Sequence, residues 1–108
     1  MTRFETILNM MASFSFPVEF DHVKIGTRVP FGTYTFEIPN VGADNAVYVP
    51  MYQFELRVYV EKLDAKIDKE IADAFKLNEI TWTRDAPIYM SDSNAYEIGY
   101  HFGIISEE

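Results

Sequence analysis

The sequence predicts an α+β domain: a mainly antiparallel β-sheet packed on one face by two helices, in the order α-β-β-β-α-β-β. Three observations carry this expectation. After Met51, the residues Tyr52, Phe54, Leu56, Val58 and Val60 alternate strictly with Gln53, Glu55, Arg57, Tyr59 and Glu61, the period of two that marks a half-buried strand. The same stretch then changes period. Leu63, Ile67, Ile71, Ala74 and Phe75 recur at three- and four-residue spacing, which places an apolar stripe on a helix running from Lys62 to Lys76. Further on, Tyr96, Ile98, Tyr100, Phe102 and Ile104 alternate with Ala95, Glu97, Gly99, His101 and Gly103, a strand as strongly patterned as the first.

The remaining elements follow in order. Thr2 and Glu5 have the spacing of a capping box, and Phe4, Ile7, Leu8 and Met11 then share one face of a helix over about residues 3–12. Phe14 to Phe16 precede Pro17, which disfavours helix in the residue before it, so the helix ends ahead of that segment. Val18, Phe20 and His22 alternate with Glu19, Asp21 and Val23 as a short strand, and Lys24 to Pro30 read as a loop. Tyr34, Phe36 and Ile38 alternate with Thr33, Thr35 and Glu37 in a second strand that Pro39 closes. Asn40, Gly42, Asp44 and Asn45 form a dense cluster of turn-formers, the expected adaptable loop. Ala46 to Val49 begin to extend again, and Pro50, which cannot donate to a ladder, marks a bulge or an edge. Past the long helix, Asn78 is the expected left-handed cap. Ile80 to Arg84 and Ile88 to Met90 read as one strand interrupted around Pro87, and Ser91 to Asn94 as a polar turn. Gly99 and Gly103, on the second face of the last strand, allow a close approach to the backbone.

A chain of 108 residues is expected to form a single domain, 1–108, with one core. The hydrophobic share of 48% and aromatic share of 16% exclude a disordered body. No apolar run approaches the roughly 18 residues that span a bilayer, and the first residues lack the basic flank and apolar region of a secretory signal. The absence of cysteine excludes disulfides, thiol catalysis and thiolate metal sites. The net charge of −8 at pH 7 argues against binding a nucleic-acid backbone, which needs a basic patch, but allows an acidic wall past which DNA slides. The predicted helix from Lys62 is balanced in charge. The acidic excess therefore lies elsewhere, among Glu19, Asp21, Glu37, Asp44, Asp85, Asp92, Glu97, Glu107 and Glu108.

Catalytic constellations are missing. There is no phosphate loop, no dinucleotide fingerprint and no H-E-x-x-H. His22 and His101 each fall on a predicted strand, where Asp21 or Glu97 could complete an acid–base couple, although a partly exposed strand histidine is the plainer reading. Ser91 to Asn94 lack the distal glutamate and acidic ligands of a calcium loop. The tyrosines with Trp82 lack interleaved Lys and Arg, so they read as core or interface rather than a base-stacking platform. No catalytic, cofactor-binding or metal-binding residue is assigned. What remains is the second face of the two strong strands, with Gln53, Glu55, Arg57 and Tyr59 on one and Glu97 and His101 on the other. Together with Asn40, Asp44 and Asn45 of the loop, these are the expected contact residues, a plainly solvated sheet being the alternative.

The run from Tyr52 to Phe75 and the run from Ile80 to Ile104 resemble the small tail-completion proteins of long-tailed phages and prophages of Gram-positive bacteria, also called tail terminators or tail-to-head joining proteins. The resemblance lies in Tyr52, Glu55, Leu56, Val58 and Tyr59 leading into a charged helix, in Trp82 on a short strand, and in the polar hairpin before a tyrosine-rich final strand. Pro30, Phe31, Tyr34 and Ala43, Asp44, Asn45, Val47, Tyr48 also fit it, so that it covers roughly residues 30–105. It implies a structural virion protein with no enzymatic activity and no cofactor. Such a protein forms a ring, usually a hexamer, that caps the tail tube and docks onto the head connector, with genome DNA passing through unbound. Its place would be the head–tail interface of the virion, after assembly in the host cytoplasm. A small acidic adaptor or inhibitor that binds a host protein through the tyrosine-rich face is the alternative.

Overall fold

Two long antiparallel strands, β3 (Met51–Val60) and β6 (Ala95–Ile105), form the centre of the molecule, and the other elements are arranged around them. The computed structural model describes residues 3–37 and 51–105. In chain order the elements are α1 (Arg3–Ala12), β1 (Val18–Phe20), β2 (Phe31–Glu37), β3, α2 (Ala65–Leu77), β4 (Trp82–Arg84), β5 (Ile88–Met90) and β6. The sheet runs β1-β2-β3-β6-β4, with β5 also paired to β6. Only β1 and β2 are parallel; the other pairings among the described residues are antiparallel. The fold is the expected α+β arrangement. The segment read as one interrupted strand is two, because Pro87 separates β4 from β5 while both still reach β6. The expected features at Thr2, Ile38, Pro39 and residues 40–50 lie outside the described residues.

The register decides which side chains share a face. Phe54, Leu56 and Val58 stand opposite Phe102, Tyr100 and Ile98 on one neighbour and opposite Phe36, Tyr34 and Gly32 on the other. Both helices cover this face. From α1, Ile7, Met10 and Met11 are buried, and the Phe4 ring lies 5.0 Å from the rings of Phe36 and Tyr52. From α2, Ile71 and Phe75 are buried, with the Phe75 ring 4.9 Å from Phe102 and 5.1 Å from Trp82. Phe54 and Phe102 stack across the central pair at 5.1 Å. Each such side chain fully buried contributes about 1.5–3 kcal/mol relative to leaving it in water. The segment between α1 and β1 joins the same core, since Phe14 and Phe16 are buried and stack at 5.2 Å. It is tied to α2 through Glu70, whose carboxylate accepts from the Ser15 amide and hydroxyl, each at 2.7 Å.

The ends of α2 differ from expectation for local reasons. Asp64 is the N-cap: its backbone is extended and Oδ1 accepts from the Lys66 amide at 2.8 Å. The helix therefore starts at Ala65 rather than Lys62, and Leu63, expected on the apolar stripe, lies ahead of the cap and is 51% exposed. At the other end Asn78 is not left-handed, with φ at −95°; the left-handed residue is Glu79, with φ at 57°. The Ile80 amide donates to the Phe75 carbonyl at 2.8 Å and the Glu79 amide to the Lys76 carbonyl at 3.1 Å, the two bonds of a Schellman motif. Ile80 is buried in the same core as Phe75, and bringing it there sets that register and puts the left-handed turn on the residue between Asn78 and Ile80, which is Glu79. Ile80 thus belongs to the cap, and β4 begins only at Trp82. A similar turn ends β1 early: Asp21 has φ at 66°, which carries His22 off the strand on which it was expected.

Candidate functional site

The alternation that buries one face of the sheet leaves the other uncovered by either helix. On β3 it presents Gln53, Glu55, Arg57 and Tyr59; on β6, Gly103, His101, Gly99 and Glu97 stand directly opposite them, pair by pair. On the other side of β3, β2 contributes Glu37, Thr35, Thr33 and Phe31 in the same order. The six contact residues expected from β3 and β6 therefore form one patch. Asn40, Asp44 and Asn45 lie outside the described residues.

Charges within the patch are linked in series. Glu55 accepts from Arg57, and its other oxygen lies 3.8 Å from His101 Nδ1. His101 Nε2 lies 2.7 Å from Asp85 Oδ2. Asp85 itself continues the β4 pairing through its amide, which donates to the Gly99 carbonyl at 2.8 Å. Burial lowers and the Glu55 hydrogen bond raises the affinity of the Arg57 guanidinium for its proton; with the charges of Glu55 and Glu97 added, its pKa lies above its ordinary value. Burial, followed by the hydrogen bond and charge of Glu97, pushes the Tyr59 hydroxyl up as well. Phe31 stacks on the Tyr59 ring at 4.9 Å.

The two glycines of β6 are approached, as expected, by the chain's own side chains. A Cβ on Gly99 would meet Asp85 Oδ2 at 2.7 Å, and one on Gly103 would meet the Gln53 amide group at 3.3 Å. Asp85 is the member of the patch that sequence reasoning missed, counting it only toward net charge. The signal for it was Gly99, which marks where a neighbour must come close. Two pairings differ from expectation. His101 is bonded to Asp85 and not to Glu97, whose partner is Tyr59, because Glu97 lies two positions further back along the same strand face and opposite Tyr59. His22 does meet Asp21, at 3.3 Å, but in the open loop after β1. Among the described residues the tyrosines do not share one surface: Tyr89, on β5, is 51% exposed, and Tyr48 lies outside the described residues. Tyr100 is 1% exposed, and Tyr52, Trp82 and Tyr96 pack against the core, which leaves Tyr59 as the tyrosine of the patch.

Several grooves open on this face, a small one of 140 Å³ between Thr33, Thr35, Glu55 and Arg57 and two larger ones. One of 460 Å³ is lined by Thr35, Glu37, Gln53, Glu55 and His101, and one of 410 Å³ by Val29, Phe31, Tyr59, Glu61, Ser93 and Ala95. The His101–Asp85 couple has acid–base geometry, yet it stands at the edge of an open groove in which water competes for every charge. Among the described residues there is no cluster of three His, Asp or Glu able to hold a metal ion, and no helix is long and apolar enough to cross a membrane. What the arrangement offers is a largely polar surface on which the carboxylates Glu19, Glu37, Glu55, Asp85 and Glu97 stand with Arg57 and the imidazole of His101, suited to contact with another macromolecule. A scan against protein-family models finds no match for the chain, and a search of the curated proteins finds none either.

Proposed function

We propose that this chain is a structural subunit of a long-tailed phage virion, a tail-completion protein that ends the tail tube and joins it to the head connector as an oligomeric ring. The observation that supports the reading most directly is the continuous outer face of β2, β3 and β6, ordered by ion pairs and left uncovered by both helices. A subunit of a ring needs such a surface on a rigid element, and the resemblance over roughly residues 30–105 supplies the context in which it is used. In this reading the chain has no catalytic step and no cofactor. Its partners are further copies of itself, as a hexamer in keeping with the resemblance, the tail tube protein and the head connector, and its acidity lets genome DNA pass without sticking. It works at the head–tail interface of the virion and is assembled in the host cytoplasm.

Electron microscopy of particles made without this chain tests the proposal. Tails of aberrant length, or tails and filled heads that stay separate, are the expected result; normal tails joined to heads overturn it. The excess of carboxylates on the outer face favours one second reading, an acidic adaptor that captures a basic surface of a host protein. Pull-down with Glu55→Lys as the control separates the two, because an adaptor retains a host protein and a tail subunit retains tail or connector proteins.

A further inference from the structure

The series of charges on the outer face has a gap in it. A carboxylate only accepts, so the 2.7 Å contact between His101 Nε2 and Asp85 Oδ2 is an imidazole N–H donating to Asp85. In the neutral ring that leaves Nδ1 as an acceptor. It faces a second acceptor, Glu55 Oε2, at 3.8 Å, beyond hydrogen-bond length. Glu55 is held in place by its other oxygen, which accepts from Arg57 Nε. Two acceptors thus face one another across a space that a single proton on Nδ1 converts into a donor–acceptor pair. The ring is 40% exposed, so water reaches it directly.

The strands beside His101 supply charge of the complementary sign. Glu55 and Arg57 stand on β3 with Tyr59 beyond them, Asp85 follows β4, Glu97 lies further back along the same face of β6, and Glu37 of β2 lines the 460 Å³ groove with His101. Thr83, which pairs with His101 from β4, is uncharged. We infer that His101 is a proton switch of the outer face: a proton bound at Nδ1 closes the gap to Glu55 and joins Arg57, Glu55, His101 and Asp85 into one network reaching from β3 to the segment after β4. Glu55 can serve both neighbours at once, because Arg57 uses Oε1 and His101 faces Oε2. Two carboxylates against one cation become two against two. A partner on this face therefore meets an acidic surface above the transition and a balanced, cross-linked one below it.

Nitrogen NMR of the imidazoles reads the switch on the isolated chain, and His22 is the internal reference. Its contact is with Asp21, at 3.3 Å, in the open loop after β1 and away from the sheet face. At about pH 9 His101 should carry its proton on Nε2, and at about pH 5 on both nitrogens, with the Glu55 carboxyl signal moving at the same pH as the ring. Glu55→Gln keeps the shape and removes the charge. It should weaken proton binding at His101 by about threefold and leave His22 unchanged. Asp85→Ala should mix the two tautomers of the neutral ring, since Nε2 loses its acceptor. Glu55 and Asp85 are both partly exposed, so circular dichroism should show each variant folded. A neutral His101 that carries its proton on Nδ1 overturns the switch. A Glu55→Gln chain whose His101 binds protons as tightly as the wild type overturns it as well.

Discussion

The two faces of the central strands are made by the same stretches of backbone and the same register, yet they differ in almost every physical respect. On the inner face Phe54, Leu56, Val58, Ile98, Tyr100 and Phe102 are buried beneath α1 and α2, where dispersion and loss of water contact supply the stability. On the outer face Arg57 is hydrogen-bonded to Glu55 and His101 to Asp85, with 3.8 Å between Glu55 and His101, all of them still partly in water, and such pairs add little to folding. Stability is concentrated on one side of the sheet and recognition is free to use the other. Substitutions on the two faces should therefore separate folding from the proposed assembly.

The largest effect is expected where the inner face meets α2. Phe75→Ala removes a fully buried ring that touches Trp82, Tyr100 and Phe102, and should cost about 3–5 kcal/mol in urea denaturation. If it lowered assembly more than stability, the division between faces would fail. Next comes Asp68, whose Oδ1 accepts from the Tyr100 hydroxyl at 2.6 Å and from Arg84 at 2.8 Å. Asp68→Ala should cost about 1–3 kcal/mol, chiefly by leaving the buried hydroxyl short of its acceptor, since the Arg84 pair is partly exposed and screened.

The same hydroxyl predicts a pH dependence. Burial first, then the hydrogen bond to Asp68, raise the Tyr100 pKa well above its ordinary 10.0. Below pH 10 the hydroxyl keeps its proton in both states and its stabilisation is complete. As pH rises past 10 the unfolded chain ionises while the folded chain does not, so stability falls toward the folded pKa. Tyr100→Phe should flatten this alkaline decline, measured as the denaturation midpoint between pH 9 and 11.

Two smaller effects sharpen the contrast further. Glu79 lies on neither face and is left-handed, so Glu79→Gly should raise stability by about 0.5–1 kcal/mol with assembly unchanged. On the outer face, Gly99→Ala sets a methyl against Asp85 Oδ2, the end of an exposed side chain that can swing away. Its cost should be under about 0.5 kcal/mol, while the NMR signals of the His101 ring shift as the Asp85 bond breaks. A loss of several kcal/mol would show that the outer network carries stability after all.

Much of this architecture is legible in the order of residues alone. Strict alternation fixes the strand faces of β3 and β6, because a period of two admits only one partition into inner and outer residues. The spacing of Ile67, Ile71 and Phe75 shows which face of α2 is buried, and the six outer residues read from β3 and β6 do form one patch. What the pattern does not show depends on contacts between segments distant in sequence. Asp85 joins the patch only because β4 pairs with β6, and its charge alone does not distinguish it from the other acidic residues. Glu79 takes the left-handed turn because Ile80 must be buried in the same core as Phe75, a demand that overrides the ordinary preference for asparagine at such a position. The sequence by itself determined the elements and their faces, since periodicity is a property of neighbours along the chain. The tertiary structure alone decided which charges meet, since those distances are set by strand register and by the packing of one element on another.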